Sequence, residues 1–453
     1  MIEHGLPESI RSYNANEFVA GSGADSFNPD EPKSFGQSPV TILVLDELNT
    51  HFEDSSFAVR SVNQYLDARP ALLDQPTALM LVSDNKSCVL ENSTRDRDRL
   101  FKAFHDQSVH YPWKLEGDKS IGYGTLERLD QSLSALEKIA QAIARIQGRK
   151  NLVWVGQGFP SIDPCELARK DQDLVIDTIQ HVTDVLLDTR VTLYAVDPTS
   201  TAAGMVEITD PTELEFAQAE GDSFVSNADP FGSQLDLDRL GPVTGGRVIR
   251  GMNDIDKQIA NSVDLGTNVY TIGYSPSNSN SAPRQYQNIR LVCLRTGLSV
   301  ATRNGYYTTA LASQSSKKTL VYDLNQAALS SIPLTALKLT VESAQSETAP
   351  AGTYVVHVDA SILSWHFTNE GTSTTKVAVL VVGLSSKDKI QSHTLQSMSA
   401  ITKGGAEIQT SGKTADCLIS NPVPNSVERL RFVVRETETG RMGTADLTLS
   451  AKD

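Results

Sequence analysis

Residues 40–50, VTILVLDELNT, decide how the rest of this chain is read. Val40 to Leu45 is an uninterrupted β-branched and aliphatic run, long enough for a strand and too short for a helix. Such runs mark strands buried on both faces of a parallel sheet. The run stops at Asp46-Glu47-Leu48-Asn49-Thr50, so the strand delivers an acidic, hydroxyl-bearing loop at its carboxyl end. Open α/β sheets bind their ligands at that edge. A loop rich in carboxylate, amide and hydroxyl oxygens suits a hard divalent cation such as Mg2+ or Ca2+. The same Asp46 can instead cap the loop by accepting hydrogen bonds from nearby backbone N–H groups, and the sequence leaves both readings open.

Outward from this strand, apolar runs and amphipathic stretches alternate. Strands are expected at Ala78–Ser83, Asn151–Val155, Val191–Val196, Arg247–Ile249 and Asn268–Tyr274. Helical spacing lies between them at Ser56–Ala68, Thr94–His105 (capped by Ser93 or Thr94), Leu126–Ile146, Leu167–Asp188 and Asn253–Val263. Gly148 fits a helix C-cap. A short helix is expected at Leu235–Leu240, and a hairpin at Gln287–Cys293 with Leu298–Thr302. Strands separated by helices imply right-handed crossovers and a mainly parallel sheet with helices on both faces.

After Tyr307 the pattern changes to short alternating strands punctuated by Gly, Asn, Ser and Thr, with almost no helical periodicity. Expected strands are Ala336–Val341, Thr353–Val358, Lys376–Val382, Ala415–Leu418, Leu430–Arg435 and Ala445–Leu449. This reads as an immunoglobulin-like β-sandwich. The expected organisation is an N-terminal strand and turn segment with its linker at 1–37, an α/β domain at 38–310, a linker at 311–317 and the sandwich at 318–453. The opening residues read as two short strands about a turn at His4-Gly5. The expectation is a processed or trimmed product whose signal segment has been removed.

At 453 residues the chain exceeds one core. Its formal net charge of −15 argues against nucleic acid, which calls for a basic footprint. No run approaches the length of a membrane span. Cys88, Cys165, Cys293 and Cys417 are widely separated, and no pattern of zinc ligands is present. Four cysteines allow three pairings, between which the sequence does not choose.

Several motifs, taken in order, carry a family likeness. They are GRKNLVWV at 148–155, LYAVD at 193–197, TGGR at 244–247, YTIGYSP at 270–276 and RNGY at 303–306. The opening EHGLPESIRSYN and the closing RLRFVVRETETGRMGTADL belong with them. Together they resemble the VWFA-related domain of acidobacterial secreted proteins. The resemblance implies a von Willebrand type A, Rossmann-like domain, export to the exterior, periplasm or cell envelope, and a binding or scaffolding role.

The resemblance also implies a cation site built from three loops. The first offers Asp46, Thr50 and Asn49, with Leu48 standing where the family pattern Asp-x-Ser-x-Ser has a Ser. Ser132 or Thr125 stands in for the second-loop Thr. The third-loop acid is replaced within Gly156-Gln157-Gly158, and Asp197 is the best substitute for it. The expected metal set is therefore Asp46, Asn49, Thr50, Ser132 and Asp197, a degenerate site with weak affinity for Mg2+ or Ca2+ and no other cofactor.

No G-x-S-x-G elbow and no acid–base pairing among the eight His suggests a hydrolase. The expectation is a non-enzymatic binding or adhesion module, with a self-assembling envelope component as its alternative. Residues 199–234 form a long acidic insertion just after Asp197, with no Lys or Arg. Glu207, Asp210, Glu213, Glu215 and Glu220 are the candidate contacts for a basic protein ligand, through salt-sensitive attraction.

Overall fold

The computed structural model describes residues 2–3, 6–7, 10–16, 39–50, 52–83, 87–105, 123–146, 148–159, 167–198, 239–250, 252, 254–267, 269–274, 286–295, 300, 302–307, 317–330, 332–344, 352–367, 372–386, 389–403, 413–421, 423–424, 426–449. By contact, the chain divides into two units. One comprises Met1–Glu137 with Ile146–Thr308, the other Lys138–Arg145 with Thr309–Asp453. The sequence boundary at 311–317 lies near the last of the three crossings, between Thr308 and Thr309. The excursion of Lys138–Arg145 into the second unit leaves no mark in the pattern, because the apolar stripe of the helix Tyr123–Ala142 runs on through Ile139 and Ala140.

The first unit is mixed α/β. Its six-stranded sheet has the order Ser87–Asp96, Leu72–Val82, Val40–Asp46, Lys150–Val155, Val191–Val196, Arg247–Ile249. Ser87–Asp96 runs antiparallel to its neighbour and every other pairing is parallel. Numbered along the chain this is the order 3-2-1-4-5-6. Chain direction across the sheet reverses between the Val40–Asp46 and Lys150–Val155 strands, which makes the crevice at their carboxyl ends the topological switch point.

The strands are buried on both faces, which explains their continuous apolar runs. Leu43, Leu45, Val153, Val155, Tyr194 and Val196 pack against the helices Phe52–Asp67, Arg97–His105 and Ile255–Leu265. The alternate residues Ile42, Val44, Leu152, Trp154, Leu193 and Ala195 are buried as well, as are Ile179, Val182 and Leu186 of the helix Arg169–Asp188. At the opposite end of the sheet, Lys150 is buried and donates to Thr189 O at 2.7 Å. Burial, followed by the charge of Arg190, pulls its pKa down to about 8.

Several sequence expectations are corrected here. Ser87–Asp96 is a full strand, and the helix after it starts at Arg97. Its cap is Asp96, whose carboxylate accepts from Asp98 N at 2.9 Å and Arg99 N at 3.3 Å, the usual N-cap geometry. Neither Ser93 nor Thr94 fills that place. The hairpin near residue 290 pairs Tyr286–Arg290 with Gly305–Tyr307. Val292, inside the expected strand Gln287–Cys293, is exposed beyond the observed end at Arg290, and most of the expected partner Leu298–Thr302 lies outside the described residues. The opening residues join the first unit. Ile2–Glu3 pairs with Leu6–Pro7 and with Tyr286–Arg290, and Ile10–Asn16 pairs antiparallel with Val269–Tyr274.

The second unit holds two antiparallel sheets. One has the order Leu339–Ser343, Thr353–Asp359, Thr414–Ser420. The other is built on Thr372–Leu384, which pairs with His366–Phe367, Ile390–Lys403 and Arg429–Glu436, the last also pairing with Met442–Thr448. Val356, Val358, Cys417 and Ile419 of the first sheet share an apolar core with Val377, Val379, Val381, Phe432 and Val434 of the second. Two sheets over one core are compatible with a β-sandwich. Burial pushes the Cys417 thiol up to about 11, as befits a packed structural cysteine.

A helix, Lys317–Leu329, precedes these strands where the sequence suggested a linker and strands alone. Leu324, Ala327 and Ala328 cover the far side of the larger sheet, against Ala378, Leu380, Val382 and Val433. A buried ion pair, Arg435 Nη2 to Asp323 Oδ2 at 2.8 Å, ties the helix to the sheet. Gln141, from the Lys138–Arg145 segment, accepts from Met442 N at 2.8 Å and donates to Gly440 O at 3.2 Å. On the outer face of the smaller sheet, His357 lies between two carboxylates, with Nδ1 2.7 Å from Asp416 and Nε2 2.7 Å from Glu342. Those hydrogen bonds, Asp416 first, raise its pKa.

Candidate functional site

The loop that follows Val40–Asp46 sits at the switch point, and its geometry follows from strand register. Leu45 pairs with Val155, so Asp46 falls opposite Gly156, one step beyond the ladder. Even-numbered residues of both strands face the same side, which brings Trp154 diagonally beside Asp46, within reach of a long aromatic side chain. A Cβ on Gly156 would lie 2.4 Å from Asp46 Cβ and 2.8 Å from Thr50 Oγ1. Only glycine allows the two loops to approach this closely.

Asp46 is almost fully buried, and four hydrogen bonds hold its carboxylate. Oδ1 accepts from Leu48 N at 2.9 Å and Asn49 N at 3.0 Å. Oδ2 accepts from Asn49 Nδ2 at 3.1 Å and from the indole Trp154 Nε1 at 2.9 Å. Four donors match the roughly four acceptor sites of a carboxylate. Burial raises the Asp46 pKa; the hydrogen bond from Trp154 opposes it most, followed by those from Asn49 and Leu48.

The structure brings Asn49, Thr50 and Ser132 to the same place. Ser132, on the helix Tyr123–Ala142, donates its hydroxyl proton to Arg128 O at 2.7 Å. Its oxygen is therefore left to accept from Asn49 Nδ2 at 3.0 Å, which fixes Asn49 with its NH2 toward Asp46 and Ser132. Thr50 is fully buried, and its Oγ1 accepts from Gln157 N at 3.0 Å. Thr125 belongs to the same helix, with its side chain outside the described residues.

Asp197 lies apart from this cluster. Val155 pairs with Val196, so Asp197 continues the same row across the sheet, with Gly156 between it and Asp46. Two strand spacings set their backbones about 10 Å apart. Asp197 N donates to Ile249 O at 2.9 Å, and its carboxylate is 3.6 Å from Arg250 Nε. Glu207, Asp210, Glu213, Glu215 and Glu220 lie outside the described residues.

A hard cation needs oxygen lone pairs directed at one point. Here the carboxylate oxygens face N–H groups, Asn49 presents its NH2, and Leu48 is a buried hydrocarbon. The arrangement as it stands does not fit Mg2+ or Ca2+. Among the described residues, no group of three or more His, Cys, Asp or Glu is placed to hold a metal. The residue that sequence reasoning passed over is Trp154. Its signal was its parity: an N–H-bearing aromatic on the adjacent strand, two residues before the position facing Asp46.

No protein-family model matches the chain, and no curated protein matches it. Solved structures with some similarity include the SpRpn10 VWA domain, at 16% identity over 51% of this chain and 99% of that one, with a TM-score of 0.25. The human COPII-coat protein Sec24c is similar at 8% identity over 92% of this chain and 44% of that one, with a TM-score of 0.24. Superposition at that level adds nothing to the strand order and register described above. Among the described residues, no helix is long and apolar enough to cross a membrane.

Proposed function

We propose that this chain is an exported, non-catalytic binding module built on a von Willebrand type A-like domain, which takes a protein ligand at the carboxyl edge of its sheet without a metal ion. The observation that carries this reading is the saturated Asp46 carboxylate, with the Trp154 indole N–H among its four donors. The 3-2-1-4-5-6 order with one antiparallel strand supports the type A assignment. The position of the loop at the switch point supports ligand binding there. Asp46 then serves as an internal organiser that stiffens the Leu48–Thr50 loop, so that recognition falls to what surrounds it.

The acidic stretch 199–234 leaves the sheet directly after Asp197, which supports a basic ligand drawn in by exposed charge. The test is capture of ligand from culture supernatant and envelope fractions, with Mg2+ and with EDTA, across a salt series. Capture should survive EDTA, weaken with salt, and fall when Glu213, Glu215 and Glu220 are changed together to Gln. Micromolar Mg2+ or Ca2+ affinity by calorimetry, abolished by Asp46→Ala, would overturn the metal-free reading. Capture indifferent to salt and to the Gln variant would move recognition away from the acidic stretch.

A further inference from the structure

Ile390–Lys403 is a strand of 14 residues whose ladder runs along Thr372–Leu384. Among the described residues it pairs with no other strand, so its second edge offers a row of backbone N–H and C=O groups. Natural edge strands of this length are usually protected by charge, proline, a bulge or brevity. Residues 390–402 contain no Asp, Glu, Lys, Arg, Pro or Gly. The ladder's irregularity falls at Gly383/Leu384, so the pairing from Ser392 to Lys403 is regular. One face of the strand packs Met398 and Ala400 on the core, while Leu395 and Ile401 on the other face are exposed.

We propose that this edge is a self-association surface, on which a second copy of the chain adds its own Ile390–Lys403 strand antiparallel across a two-fold axis. Charge selects this occupant. The negative charge of the chain lies in the first unit: residues 309–453 hold 13 Lys and Arg against 13 Asp and Glu, so the second units of two copies meet without net repulsion. Within that balanced unit the strip at 390–402 has no Asp, Glu, Lys or Arg, so no like charges face each other along the joined edge. A strongly charged foreign partner finds no formal charge along it to read. The antiparallel arrangement is self-complementary, because each residue on one strand meets its mirror position on the other and no charge opposes its like. The two larger sheets then continue as one, with exposed Leu395 brought close to its counterpart near the axis. This surface lies in the second unit and is independent of the Asp46 loop.

The experiment is sedimentation equilibrium of the full chain from about 1 to 200 µM, a range that brackets micromolar association. Two variants accompany it, Leu395→Lys with Ser397→Lys, and Leu395→Glu with Ser397→Glu. Wild type should show a monomer–dimer equilibrium, and each variant alone should dimerise about 100-fold more weakly, because like charges meet across the axis. An equimolar mixture of the two should regain the dimer mass. Should a variant fail to fold, amide exchange on wild type decides: protection of residues 390–403 should grow with protein concentration. A wild type that stays monomeric, variants that dimerise as wild type does, or protection that grows only elsewhere would each overturn the proposal.

Discussion

Replacing Trp154 with Phe isolates the hydrogen bond on which the reading of the Asp46 loop rests. The substitution removes the 2.9 Å bond from the indole N–H to Asp46 Oδ2. Trp154 is fully buried and Asp46 nearly so, so water does not replace the lost donor. A buried hydrogen bond to a charged group contributes about 1.5–3 kcal/mol. The smaller ring also leaves a partial cavity, for about 1–2 kcal/mol more. At pH 7 the expected destabilisation is therefore about 3–5 kcal/mol. The two parts separate with pH. The Asp46 pKa is already raised in the folded state, and losing the Trp154 bond raises it further. A group with a raised folded pKa contributes stability that is complete below its unfolded value and lost as pH rises through the folded one. Near pH 4 and below, Trp154→Phe should then cost only the packing part, and the excess should develop as pH rises. Urea unfolding followed by amide exchange in the Lys150–Val155 strand reports the first unit alone. A double-mutant cycle with Asp46→Ala should give a coupling of about 1.5–3 kcal/mol. A penalty equal at pH 4 and pH 7, or a coupling below about 0.5 kcal/mol, would refute the reasoning.

Two further outcomes are expected from ionisable groups away from this loop. Lys150, with its pKa lowered to about 8 by burial, binds fewer protons folded than unfolded between pH 8 and its unfolded value of about 10.4. Stability of the first unit should rise across that window, and Lys150→Met should abolish the rise in a pH series of urea melts. His357 has its pKa raised by Asp416 and Glu342, so its contribution is complete below the unfolded value of about 6.5 and fades as pH rises through the folded one. His357→Gln should flatten that decline in thermal melts of the full chain resolved for the second unit; an unchanged slope would show that the two carboxylate contacts carry no net energy.

What could be read from the residues followed the physics of each element. The parallel strands announced themselves because burial on both faces demands unbroken apolar runs, as in Val40–Leu45 and Asn151–Val155. The grouping of Asn49 and Thr50 with Asp46 followed from placing the loop at a strand's carboxyl end, whereas Ser132, which accepts from Asn49, came only from the family likeness. The helix Lys317–Leu329 escaped because its buried stripe is largely small, with Ala327 and Ala328 beside Leu324, while Val321, Tyr322 and Leu329 are exposed and blur the period. Ile390–Lys403 escaped because an edge strand can be rich in Ser, Thr and Gln with little burial to enforce alternation. The cap at Asp96 was misplaced by two or three residues because Ser93, Thr94 and Asp96 are all good capping types, and only backbone geometry chooses among them. Trp154 was hidden for a different reason. Its ring belongs to the core and its N–H to the loop, and a sequence pattern registers only the first.

The membership of Lys138–Arg145 in the second unit bears on how the protein can be taken apart and how it is made. A single cut near Thr308 yields a fragment that lacks Gln141, whose amide supplies the partner of Met442 N and Gly440 O. Thr335 N, which donates to Gln141 O at 3.1 Å, loses its acceptor in the same stroke. The order of synthesis imposes the matching constraint on a ribosome. Gln141 emerges about 300 residues ahead of Met442, so the amide that will clasp the last strand is made long before that strand exists. The C-terminal unit is thus finished late, on a foothold laid down early, and excising it intact requires two chain segments supplied together.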